Sequence, residues 1–130
     1  MATVVDASVV VAWQLGEDVP DVERVRDVLL GPILVPALWL SEVANGLVVA
    51  ERKGRINAAR RSAIASAFAE LDIEIRASPG VAAIADLALR TGLSAYDAEY
   101  LHLSTDRGAA LLTFDRQLAE AGRLAGVTLV

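Results

Sequence analysis

Short apolar runs alternate along the chain with longer stretches whose apolar residues recur every three or four positions. Thr3-Val4-Val5-Asp6 is an apolar run that stops at an acid, the pattern of a strand buried on both faces. Ile33-Leu34-Val35, closed by Pro36, and residues 110–114 have the same character. Ile73-Glu74-Ile75 alternates and predicts a strand at a sheet edge, and residues 127–130 predict a last strand. Between them the spacing is helical. Residues 8–15 follow a cap region at Asp6, Ala7 and Ser8. Residues 20–30 keep Val22, Val25, Val28 and Leu29 in phase and stop at Gly31-Pro32. Further helices are predicted over 37–52, over 57–71 after a break at Gly54, over 78–90 before Gly92, over 94–105 before Gly108, and over 115–121. Strands alternating with helices predict an α/β sandwich around a mostly parallel sheet.

The length, 130 residues, predicts a single domain over 1–130. The absence of cysteine removes disulfide frameworks and thiolate zinc sites, and the one histidine, His102, removes any ordinary Ser-His-Asp triad away from that position. The apolar start lacks a positively charged leader and carries Asp6, which argues against a signal peptide. No apolar run approaches the roughly 18 residues of a membrane span. A soluble cytoplasmic domain is therefore expected. Apolar residues make up 55% of the chain and the mean hydropathy is +0.46, more than one small core needs, which points to a self-association or partner face. Twelve basic against 17 acidic residues, a net charge of −5, argue against a generic basic nucleic-acid binder. The placement of the acids matters more than their number.

Asp6 directly follows the first predicted strand and Asp115 the strand over 110–114. Ligands of parallel sheets bind at the carboxyl ends of the strands, where both acids would lie, although each is also a natural N-cap for the helix after it. Glu42 has Leu38, Trp39 and Val49 on its helical face and no Lys or Arg within a turn. Such a carboxylate is either partly desolvated and in need of a partner, with Asn45 at i+3 close enough to orient it, or it reaches solvent at the edge of the face. Asp97 ends Ser94-Ala95-Tyr96-Asp97, a capping-box pattern with Asp in place of Glu or Gln, in an otherwise uncharged stretch. If the four converge, they require protons or a cation. Oxygen-only donors select magnesium or manganese, and such a site can activate water and stabilise charge on a phosphodiester.

Four segments carry a family resemblance: Val4-Val5-Asp6-Ala7-Ser8, residues 36–45 (PALWLSEVAN), 93–101 (LSAYDAEYL) and 112–118 (LTFDRQL). In this order and spacing the chain resembles the PIN-domain ribonucleases and, among them, the VapC toxins of prokaryotic toxin–antitoxin pairs, over essentially its whole length. The resemblance implies a three-layer α/β/α sandwich and metal-dependent hydrolysis of RNA. It implies that Asp6 and Asp97 are the principal magnesium (or manganese) ligands. Glu42 would complete the site or position the water, and Asp115 would bind a second metal or hold waters. Ser8, Asn45 and Thr113 match supporting polar positions. The implied partners are an RNA substrate, a second copy of the chain, and a VapB-like antitoxin that covers a groove near the first helices and inserts a basic side chain near the acids.

Arg52, Lys53, Arg55, Arg60 and Arg61 put five of the twelve basic residues around the Gly54 break. They form either a solvated helix end or a phosphate-contacting clip that brings RNA to an acidic site. Trp13, Trp39, Phe68 and Phe114 fit core positions; Tyr96 fits a core or interface position, with substrate contact as the alternative. His102, at i+5 from Asp97, points elsewhere on a helix. A haloacid-dehalogenase-type phosphatase wants a second Asp where Ser8 stands, and a receiver module wants a lysine after a late strand, whereas the sole lysine is Lys53. A PIN-like nuclease acting on DNA, one working in RNA processing without an antitoxin, and a non-catalytic metal-binding interaction domain remain the alternatives.

Overall fold

The computed structural model describes all 130 residues. Strands β1 (Thr3–Val5), β2 (Ile33–Pro36), β3 (Ile73–Arg76) and β4 (Ala110–Leu112) form one parallel sheet in the order β3-β2-β1-β4. Seven helices flank it: α1 (Ala7–Gln14), α2 (Val22–Leu30), α3 (Trp39–Arg52), α4 (Ala58–Ala67), α5 (Val81–Thr91), α6 (Ala95–Arg107) and α7 (Arg116–Leu124). Val4 pairs with both Leu34 and Leu111, and Val4, Val5, Leu34 and Val35 have no exposed surface. That double-sided burial is why these strands read as continuous apolar runs.

From β1 the chain steps to β2 and β3 on one side, then crosses back to β4 on the other side of β1. Right-handed crossovers place the helices of the first two steps on one face and α5 and α6 on the other, which gives three layers. The direction reverses beside β1, so the carboxyl ends of β1 and β4 border a crevice.

Several boundaries shift for local reasons. The Asp21 side chain accepts a hydrogen bond from Arg24 N, so α2 starts at Val22 rather than residue 20. Pro79 disfavours helical backbone at Ser78, whose hydroxyl instead bonds Glu99 and Gly80 N, and α5 waits until Val81. The helix begun at Ala58 gives way to a 3-10 turn at Phe68–Glu70. The strand expected over 110–114 ends at Leu112, where Asp6 N–H donates to the Leu112 carbonyl at 3.0 Å. The strand expected over 127–130 reduces to one parallel bridge, Leu111 to Leu129. Trp39 and Phe68 meet edge to face at 5.7 Å, and Trp13 and Phe114 pack half-buried against the core. Tyr96 is 67% exposed, so it is not a core residue. No helix is long and apolar enough to cross a membrane.

Candidate active site

Asp6 ends β1 and caps α1, and at 7% exposure it is the one buried charged residue of the chain. Its Oδ1 accepts Ser8 N–H at 3.3 Å and its Oδ2 accepts the Thr113 hydroxyl at 2.9 Å. Asp115 caps α7, accepting Leu118 N–H at 2.9 Å, while its own N–H donates to Thr113 Oγ1 at 3.1 Å. Both acids are therefore caps, and capping is what holds them at neighbouring strand ends. Thr113 joins them, with its single proton given to Asp6. Ser8 serves Asp6 through its backbone N–H, its side chain being exposed.

Glu42 on α3 meets α6 through Tyr100, which is fully buried one turn after Asp97. The Tyr100 hydroxyl donates to Glu42 Oε1 at 2.6 Å and accepts Ala7 N–H at 3.3 Å, so one oxygen links α1, α3 and α6. Asn45, expected to orient Glu42, makes no hydrogen bond to it; Tyr100 does that work. Burial pushes the Glu42 carboxyl above the usual carboxylate range against the Tyr100 hydrogen bond, with the charges of Asp6 and Asp97 adding to the rise. Burial also raises Asp97, reinforced by Asp115 and Asp6 and opposed by its bond with Ser94. Burial and the adjacent Glu42 push the Tyr100 hydroxyl so far up that it stays a neutral donor.

Asp6, Glu42, Asp97 and Asp115 all line one cleft of about 460 Å³, together with Ser8, Asn45 and a fifth acid, Glu17. Gly46 lines it too: a Cβ there would stand 3.0 Å from both methyls of Val11, so the missing side chain lets α3 lie close against α1. The donor chemistry suits a hard cation, since every ionisable group lining the cleft is a carboxylate and two are held above their usual range by burial, with neighbouring acids adding to the rise. No three of these side chains converge tightly enough to ligate one ion together. A divalent cation can be held through one or two direct carboxylates while it keeps several waters.

The basic cluster is divided among separate partners. Arg55 donates to Glu17 at 3.1 Å, Arg60 donates to the Gln14 carbonyl at 3.2 Å, and Arg61 pairs with Glu51. Arg52 and Lys53 are exposed at the end of α3. His102 does not line the cleft. Sequence reasoning missed Tyr100 and Glu17. Tyr100 sits at i+3 from Asp97, the same helical face, which could have marked it; Glu17 follows Gly16 in a loop and carries no signal.

A PIN domain family model matches residues 3–124. No curated protein matches the sequence. Among solved structures, PAE2754 from Pyrobaculum aerophilum is similar at 22% identity and a TM-score of 0.68, over 93% of this chain and 79% of that one. FitAcB from Neisseria gonorrhoeae is similar at 15% identity and 0.66, over 99% and 96%. A PilT N-terminus domain protein, SSO1118, from Sulfolobus solfataricus P2 is similar at 15% identity and 0.51, over 100% and 86%. At these identities the likeness is one of fold.

Proposed function

The chain belongs to the PIN domain family, whose members are generally nucleases, and from that premise we propose that it is a magnesium-dependent endoribonuclease, the toxin of a VapBC-type pair. One observation carries the reading: carboxylates from four separate elements meet in one cleft at the carboxyl end of the parallel sheet. The toxin assignment is supported by the four sequence segments that resemble VapC, in family order.

By the family resemblance, Asp6 and Asp97 would hold a magnesium or manganese ion, with Asp115 lining the same cleft. When bound, that ion supplies Lewis acidity for water and charge neutralisation for the phosphodiester. Asp6 is suited to holding because two donors fix its carboxylate while each oxygen keeps a free lone pair. Glu42 is the proton acceptor for the attacking water. Its Oε1 is occupied by Tyr100, its second oxygen is free, and its raised pKa makes it a better base than an ordinary carboxylate. The apolar excess lies partly on α5, where Val81 and Leu89 are 89% and 86% exposed; a second copy of the chain is the proposed cover.

The test is cleavage of a labelled cellular RNA pool by purified protein with magnesium, with chelator, and with Asp97→Asn prepared identically. Discrete fragments that need both the metal and Asp97 are expected. Fragments shared by wild type and mutant would mark contamination. A chain that binds magnesium but cuts neither RNA nor single-stranded DNA would be a metal-binding interaction domain instead.

A further inference from the structure

The acidic cleft adjoins a second groove of about 690 Å³, lined by Leu15, Gly16, Glu17, Asp18, Arg55 and Ile56, and Glu17 lines both. Arg55 is the only cation lining either one. Its guanidinium donates to Glu17 Oε1 at 3.1 Å, from the turn after α3 across to the loop after α1. Both rims are built on glycines in the left-handed region, Gly16 at φ 70° and Gly54 at φ 73°, each directly before the charged residue. The side chains of Arg55 and Glu17 are 61% and 46% exposed, so their pairing is screened by water and easily exchanged.

We propose that Arg55 is a phosphate-binding residue for the substrate strand outside the scissile position, and that the Glu17 carboxylate occupies that phosphate's place in the free protein. The proposal rests on the nucleic-acid reading above. A polyanion entering a cleft of five acids needs a cation at the entrance, and the groove has one. A carboxylate offers a guanidinium the same paired oxygens as a phosphate, so a phosphodiester can replace Glu17 with little rearrangement of Arg55. Of the neighbouring basic residues, Arg60 is tied to the end of α1 and Arg61 to Glu51, while Arg52 and Lys53 are exposed at the end of α3 and line neither groove. Arg60 thereby steadies the loop that carries Glu17.

The experiment is fluorescence anisotropy with a fluorescein-labelled, mixed-sequence 12-nucleotide single-stranded RNA in magnesium, in an Asp97→Asn background so that the probe stays intact. Arg55→Ala is expected to weaken binding about tenfold and to lower the salt-dependence slope by about 0.7, one phosphate contact on a single strand. Arg55→Lys should recover part of the affinity. Glu17→Gln should tighten binding about threefold, the scale of an exposed ion pair removed, and tighten it less when Arg55→Ala is also present. Unchanged affinity and slope in Arg55→Ala would overturn the proposal and leave the pair as a tie between two loops. Equal tightening by Glu17→Gln with and without Arg55 would overturn the placeholder role. If the folded Asp97→Asn parent does not bind the probe at all, the nucleic-acid reading fails and this proposal fails with it.

Discussion

Replacing Tyr100 by phenylalanine removes a single oxygen and leaves the buried ring in place, so no cavity complicates the result. The lost hydroxyl serves two partners, Glu42 Oε1 at 2.6 Å and Ala7 N–H at 3.3 Å. A hydrogen bond to a charged group contributes about 1.5–3 kcal/mol, which for a chain of this length corresponds to a Tm loss of roughly 5–15 °C at neutral pH. The effect has a pH signature. The Glu42 carboxyl already lies above its usual range, and the Tyr100 bond is what restrains it, so the variant pushes it further up. A carboxyl raised by folding is protonated more in the folded than in the unfolded chain. Its unfavourable contribution is absent below the usual carboxylate range, grows as pH rises through the folded pKa, and is constant above it. The Tyr100→Phe destabilisation should therefore be largest at neutral pH and shrink as Glu42 becomes protonated. The acidic limb of RNA cleavage should move to higher pH in parallel. Urea unfolding at pH 4 and pH 7, beside a pH–rate profile, checks both. An equal loss at the two pH values, or no loss at pH 7, would refute the claim that this hydroxyl orients and restrains Glu42.

Asp97→Asn should abolish cleavage yet stabilise the metal-free protein by on the order of 1 kcal/mol, because it removes a half-buried charge that lies near the carboxylates of Asp115 and Asp6. Since burial and its neighbours raise Asp97, the gain should be present at neutral pH and vanish as pH falls below the ordinary carboxylate range; added magnesium should narrow it, and calorimetry with and without the ion reads both. Gly46→Ala should cost about 1–3 kcal/mol by overpacking Val11 and should depress cleavage by moving Glu42, with Val11→Ala restoring much of both in the double variant.

The sheet was legible because parallel strands buried on both faces leave little room for polar residues: Val4, Val5, Leu34 and Val35 announce themselves. Asp6, Asp97 and Asp115 stood out because each follows a strand or opens a helix, and Glu42 because its helical face is apolar. Each also had an ordinary capping or surface explanation, and it was the family resemblance that joined the four. What escaped was set by contacts distant in sequence. Nothing near Tyr100 says that its hydroxyl will reach Glu42, 58 residues away. Residues 113 and 114 read as strand continuation, yet the Thr113 hydroxyl turns to Asp6, 107 residues away, and the ladder stops. Asn45 looked like the partner of Glu42 because helical spacing is visible in sequence and the neighbouring helix is not. Residues 127–130 have strand composition, but a single bridge forms there.

The Thr113 hydroxyl also sets an order of events during synthesis. Asp6, Glu42 and Asp97 precede the last strand, and the hydroxyl that fixes Asp6 arrives with β4, which pairs beside β1. A growing chain that has not yet reached residue 115 can present at most three of the four carboxylates, and the first of them lacks its Thr113 donor. Pairing strands this far apart in sequence is slow, because the loop between them must close first. A site built this way stays incomplete on the ribosome until nearly all of the domain has emerged, so topology alone delays its assembly until the end of synthesis.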